Sequence, residues 1–247
     1  VPQELVGRTC AAREREPTAL CRWLAGIFGA ARAEAALSLY RVGRSRAGHS
    51  VLWLIDAHGR ARQPRLTAYA EDGGSGGSRV RGLVPEGFRV ADGYAPCMFG
   101  ESVAAAKGGA PIVYVEAEKT ALVGECLCPS FAWVAINGAS NWRRAAASPL
   151  NRGRCVFAMF DPDDAGREAE ARLRAAVDGA AVYQGLDTWP GGGGGENLAD
   201  YAYNPEGVEM DLAARTELRR PAMAPAAFHA AAAELAARIL AHRENFR

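Results

Sequence analysis

Lysine is almost missing from this chain: Lys107 and Lys119 are its only two, and every other basic residue is arginine. Together with the abundant alanine and glycine, this points to GC-rich coding and carries no functional information. Strong charge of either sign is also absent. The 29 basic and 28 acidic residues leave a formal charge of +1, which excludes a protein that coats nucleic acid or membrane by bulk charge; any basic surface must be local. Paired CxxC units are lacking too. Of six cysteines only Cys126 and Cys128 lie close, so neither a zinc ribbon nor a disulfide framework is expected, and those two thiols read as packing at a helix end. The four histidines are dispersed with no nucleophile beside them, which argues against a hydrolase triad. No apolar run reaches the roughly 18 residues a membrane helix needs, and no signal-peptide pattern is visible, so the expectation is a cytoplasmic protein without a membrane partner. What is present is 247 residues of which 49% are apolar, enough for one large or two small packed domains.

The first fifty residues carry helical periodicity, with Leu20, Trp23, Leu24 and Ile27 on one face and a second apolar stretch from Ala30 to Tyr40. Gly43 and Gly48 interrupt it. Two strands are predicted at 50–55 and 65–70, joined by a turn containing Asp56, His58 and Gly59; Gly73 to Gly77 reads as a flexible tip. After Gly100 the pattern changes to alternating strands and helices. Apolar runs at 111–115, 131–136 and 154–160 alternate with helices at 119–126 and 165–176, followed by a strand at 181–184, the glycine run 191–195 and a terminal helix at 225–242.

In a parallel α/β sheet, polar residues just beyond the carboxyl ends of the strands converge on one crevice. Glu116, Asn137 and Asp161 hold that position, and Asp163 follows in a D-x-D pair. Carboxylates gathered there repel one another, which a cation offsets; an all-oxygen ligand set favours Mg2+ or Mn2+. Glu118 falls one step further, in the opening turn of a helix, where its charge suits the helix dipole. Asp164 is placed to cap the following helix or to extend the acid cluster. Lys119, Arg143, Arg144, Arg152 and Arg167 are the cations nearest the crevice in sequence and candidates for phosphate contacts, and Trp142 beside Arg143 can stack on an unpaired base or pack as partly buried core.

The segments Val115-Glu116-Ala117-Glu118-Lys119-Thr120 and Phe160-Asp161-Pro162-Asp163-Asp164-Ala165-Gly166-Arg167 resemble the toprim domain of topoisomerases and bacterial-type primases, most closely the primase-like toprim proteins of plasmids and phages. Gly138 fits the turn between the two segments, and Ala117 stands where the family usually has glycine. Glu196 to Tyr201 resembles the acidic segment that closes many primase toprim domains, with Asp200 in its lysine-free version. The resemblance covers about 111–202. It implies a mainly parallel toprim-type sheet flanked by helices over 106–205, preceded by a smaller α+β region over 1–105 that can bind template and followed by a helical segment over 206–247. It further implies Glu116 as general acid/base or metal ligand, Asp161 and Asp163 as the metal pair, and a primase-like nucleotidyltransferase acting in replication. Single-stranded DNA or other nucleic acid and nucleoside triphosphates are the implied partners. A helicase or zinc-module partner would supply what this chain does not show. A toprim nuclease and a non-catalytic nucleic-acid-binding accessory are the competing readings, whereas a strand-passing topoisomerase lacks an evident catalytic tyrosine region.

Overall fold

The computed structural model describes residues 1–80, 97–177 and 180–182, with five further helical positions between 230 and 238. The chain divides into two compact units, Val1–Ala105 and Ala106–Arg247. The first unit begins with three helices, α1 (Gln3–Arg15), α2 (Ala19–Phe28) and α3 (Ala30–Leu39). The periodicity of α2 holds: Leu20, Trp23 and Leu24 are buried, with Phe28 completing the face while Ile27 is only half-buried. Gly29 ends α2 with φ of 82° and opens α3, so what reads as one helical region is broken there.

A four-stranded antiparallel sheet follows in the order β1 (Gly43–Arg44), β2 (Ser50–Ile55), β3 (Ala61–Tyr69) and β4 (Ser75–Val80). Alternation on β2 sends Val51, Trp53 and Ile55 to a cluster with Val6 of α1, Ala61 and Leu66. The Trp53 indole N–H donates to Thr9 Oγ1 of α1 at 2.9 Å, satisfying the polar end of a ring that is 1% exposed. Two sequence expectations change here. β3 starts four residues earlier than its apolar pattern suggests and runs through Pro64, which pairs with Trp53; β4 joins β3 only from Leu66 onward, so Pro64 sits where one side of β3 has no described partner. The glycine-rich stretch is not a free tip: Asp72 and Gly73 make the turn and Gly76 and Gly77 belong to β4, because backbone ladder bonds need no side chains. The short helix α4 (Glu101–Ala106) was not visible in the pattern.

The second unit holds a four-stranded, all-parallel sheet in the order β6-β5-β7-β8: β5 (Ile112–Val115), β6 (Ala132–Ala135), β7 (Val156–Met159) and β8 (Ala180–Val182). Helix α5 (Glu118–Leu127) links β5 to β6, the short α6 (Trp142–Ala146) lies between β6 and β7, and α7 (Asp164–Ala176) links β7 to β8. The α/β reading of the sequence is therefore correct. Ile112 to Val115 are each 0% exposed, as expected of strands covered on both faces. The strands are shorter than the apolar runs because the flanking residues make single bonds outside the ladder, such as Ile136 N–H to the Val115 carbonyl. Cys126 and Cys128 are buried at the end of α5 as free thiols, in keeping with packing. Lys107 takes an unusual place: its ammonium donates to both oxygens of buried Glu125 and to the carbonyls of Pro129 and Phe131, tying α5 to the approach of β6. The glycine run 191–195, the segment around Asp200 and nearly all of 206–247 lie outside the described residues. No described helix is long and apolar enough to cross a membrane.

Candidate functional site

Val115 of β5 stands opposite Ala135 of β6 and Met159 of β7, so the residues that follow these three strands emerge side by side. Glu116 is the first residue beyond β5, Asn137 the second beyond β6, and Asp161 the second beyond β7. Glu116 joins all three ends. Its Oε1 accepts the Asp161 N–H at 3.1 Å, its Oε2 accepts the Ala139 N–H at 3.0 Å, and its backbone carbonyl accepts the N–H groups of Asn137 and Gly138 at 2.9 and 3.2 Å. Asn137 and Gly138 have φ of 66° and 108°, a succession that turns the chain back under Glu116 and that asparagine and glycine tolerate best. Burial pushes the Glu116 carboxyl above its ordinary pKa; the two backbone N–H groups pull it down and the negative charge of Asp163 pushes it up again, leaving it raised.

The D-x-D loop is held from both sides. The Phe160 N–H donates to Glu170 Oε1 of α7 at 2.9 Å, and the next N–H, of Asp161, goes to Glu116. The Asp163 N–H returns to the Asp161 carbonyl at 2.8 Å, and the Asp163 side chain caps α7 by accepting the Gly166 N–H at 2.7 Å. The cap is thus Asp163 and not Asp164, which instead pairs with Arg167 at 2.7 Å in the first helical turn. Gly166 is required by space: a Cβ there would stand 2.0 Å from the Asp161 carbonyl oxygen and 3.0 Å from Glu116 Oε1. The glycine of the motif is the physical condition for α7 to start hard against the loop.

Of the residues expected in the site, Glu116, Gly138, Asp161 and Asp163 are brought to the adjoining carboxyl ends of β5, β6 and β7, where sheets of this kind have their ligand crevice. Among the described residues no three His, Cys, Asp or Glu side chains are gathered as a ready ligand cluster, because Glu116 and Asp163 direct oxygens at backbone N–H groups. Their donor chemistry still suits a hard divalent cation: all are carboxylates, and a half-buried one beside a second negative charge has its ionised form disfavoured in the way a cation relieves. Arg167 folds back onto the loop, donating to the Pro162 carbonyl at 2.7 Å. Lys119 lies half-buried in the first turns of α5. Arg143 and Arg144 lie on α6, where the Arg143 guanidinium stands over Trp142 at 4.8 Å from the ring centroid. Sequence reading missed Glu170 and Arg172. Glu170 carried a usable signal: it is a carboxylate on the face of α7 shared by Gly166, Ala169 and Leu173, where an unpaired charge would not be buried.

These features define a parallel α/β unit with an acidic crevice at the carboxyl ends of its strands. The chain belongs to the family described as Domain of unknown function (DUF6371), which matches residues 18–163. No curated protein matches it. Among solved structures it is similar to the primase fragment of the bacteriophage T7 primase-helicase protein, at 19% identity and a TM-score of 0.44, over 61% of this chain and 60% of that one. The similarity thus spans about three fifths of the T7 fragment. A second similar chain comes from the bacteriophage T7 lagging-strand DNA polymerase interacting with primase domains of two gp4 subunits bound to an RNA/DNA hybrid and dTTP. The match is at 18% identity and a TM-score of 0.39, over 60% of this chain and 73% of that one.

Proposed function

We propose that the chain is a primase-like nucleotidyltransferase with a toprim centre, acting on a nucleic-acid template in replication. The observation that carries this reading is the Glu116 carboxylate, which binds backbone N–H groups beyond β6 and β7 and so fixes the Asp161-Pro162-Asp163 loop beside the Asn137-Gly138 turn. Such a crevice is where ligands bind in sheets of this kind. Asp161 and Asp163 would hold Mg2+ or Mn2+, with Glu116 as the third acid. A divalent ion there supplies charge stabilisation for in-line displacement at a phosphoryl group. The chain's own contribution is position: Glu116 and Glu170 hold the loop by two successive N–H groups, the Asp163 cap and Gly166 set the start of α7, and Arg167 braces the loop through Pro162. Nucleoside triphosphates and single-stranded DNA are the corresponding substrates, and a helicase or zinc-bearing partner would supply template selection and unwinding.

The test is a titration of Mg2+ and Mn2+ into the wild type and the Asp161→Asn/Asp163→Asn double variant, following nucleotide incorporation on single-stranded DNA alongside its cleavage. Metal-dependent incorporation that the double variant loses is the expected outcome. Metal-dependent cleavage without incorporation would reassign the centre to a nuclease. DNA binding without turnover in either protein would make the chain an accessory factor.

A further inference from the structure

Among the described residues, Trp23, Trp53 and Trp133 are buried at 5%, 1% and 0% exposure, as tryptophans kept for packing are. Trp142 is different. It opens α6 only half-buried, and two cations far apart in sequence converge on its ring: Arg143 of the same helix at 4.8 Å from the centroid and Arg172 of α7 at 5.8 Å. Helix α6 is anchored beneath it. Asn151 donates to the carbonyl of Ala145 at 2.8 Å while its own oxygen accepts the hydroxyl of fully buried Tyr114 on β5 at 2.7 Å. A 3-10 turn, Ala139–Asn141, is all that separates Trp142 from the Gly138 turn, and Ala139 is the residue whose N–H meets Glu116. At ~2 Å per residue, that turn places the Trp142 backbone within roughly 6 Å of Ala139.

We propose that Trp142, Arg143 and Arg172 form a stacking platform for an unpaired base of single-stranded nucleic acid, next to the acidic crevice. The proposal rests on the nucleic-acid reading of that crevice and names how the strand is held there. An indole with guanidinium groups over it offers a planar, polarisable surface, and either the ring or the guanidinium plane accepts a base irrespective of sequence. Phosphates flanking that base meet positive charge from Arg143, which is exposed, and from Arg144 one residue further along α6. Glu168 is the acid paired with Arg172, four residues earlier on α7; the pair fixes the long Arg172 side chain and leaves the remaining charge of the platform positive. A duplex has no free base face to offer, so selectivity for single strands follows from the chemistry.

The experiment measures binding of a short labelled oligothymidylate by fluorescence anisotropy, in metal-free buffer, to the full chain and its variants. Trp142→Ala is expected to weaken binding at least about fivefold and Trp142→Phe to recover most of it. Oligothymidylate should also quench wild-type tryptophan emission more than that of Trp142→Phe, and a matched duplex should compete poorly. The double Asp161→Asn/Asp163→Asn variant should bind no more weakly than the wild type, because it removes two negative charges beside a polyanion. Loss of incorporation with platform binding intact would therefore count against the proposed activity and not against the platform. Unchanged affinity in a folded Trp142→Ala would overturn the platform, as would equal competition by polyglutamate, which would make the face a docking site for acidic protein. Should Trp142→Ala fail to fold, the quenching comparison with Trp142→Phe and the affinity of Arg143→Ala decide the matter, and no change in either overturns it.

Discussion

Single residues in the crevice have more than one physical task, and Glu116 is the clearest. A carboxylate at a strand end reads as chemistry, yet here each of its oxygens accepts a backbone N–H, so the same group that can serve a cation also sets the geometry of the loop carrying Asp161. Gly166 is its counterpart, a position defined by what cannot be there. Gly166→Ala places a methyl against the Asp161 carbonyl at 2.0 Å, and backbone cannot rotate out of the way as a side chain can. The expected cost is about 1–3 kcal/mol or more, the usual range for overpacking, read as a shift in the urea midpoint. A variant as stable as wild type would mean that α7 does not start where the structure has it. The D-x-D-x-A-G spelling that carried the family resemblance thus has a local cause: Asp163 caps the helix and Gly166 lets it approach.

At the scale of elements, turns and buried ion pairs fix what hydrophobic pattern leaves open. The β2–β3 turn is built on Asp56, whose Oδ1 accepts the N–H groups of His58 and Arg60 and whose Oδ2 meets the guanidinium groups of Arg60 and Arg62. Burial alone would raise this carboxyl, but the Arg60 N–H, the two arginines and the His58 N–H outweigh it and bring its pKa from 3.8 to about 2. A depressed carboxyl stabilises the fold above its unfolded pKa and loses that contribution as pH falls. The stabilisation is therefore complete above about pH 4 and fades between 3.8 and about 2. Asp56→Asn should cost about 2 kcal/mol at neutral pH and flatten this part of the acid limb. A denaturant-derived stability profile against pH that stays parallel to wild type would contradict it. Lys107 follows the same logic: in a chain whose basic residues are nearly all arginine, an ammonium that meets a carboxylate and two carbonyls at once needs a compact charge with freely rotating donors, which a planar guanidinium lacks.

For the whole molecule, a net charge of +1 means that affinity for a polyanion depends on where the arginines are placed and hardly at all on their sum. If Arg143 and Arg144 supply the phosphate contacts, with Arg172 already paired to Glu168, the logarithm of the single-strand binding constant should fall with log salt at a slope of about −1.4, since each neutralised phosphate contributes about 0.7. Arg143→Ala should reduce the steepness by about 0.7 to 1. A steep slope near −6, insensitive to that change, would locate the binding surface elsewhere on the chain.

The sequence by itself determined the parallel α/β unit, because four-residue apolar runs such as Ile112 to Val115 can only be satisfied by burial on both faces, and it marked Glu116, Asp161 and Asp163 because such strands end at a common crevice. Where it fell short, the deciding contacts join residues far apart in the chain. The entry of Pro64 into β3 depends on where β4 begins to pair, and the glycines of β4 are ordered by ladder bonds that involve no side chain. The choice of Asp163 over Asp164 as the cap of α7 is the local exception, set by the N–H direction at Gly166 three residues on, whereas the meeting of Arg172 with Trp142 depends on α7 packing beside α6. Local sequence records which residues prefer helix, strand or turn; only the tertiary structure decides which hydrogen-bond donors two distant segments present to the same carboxylate, because that choice is made by the packing of the strands between them.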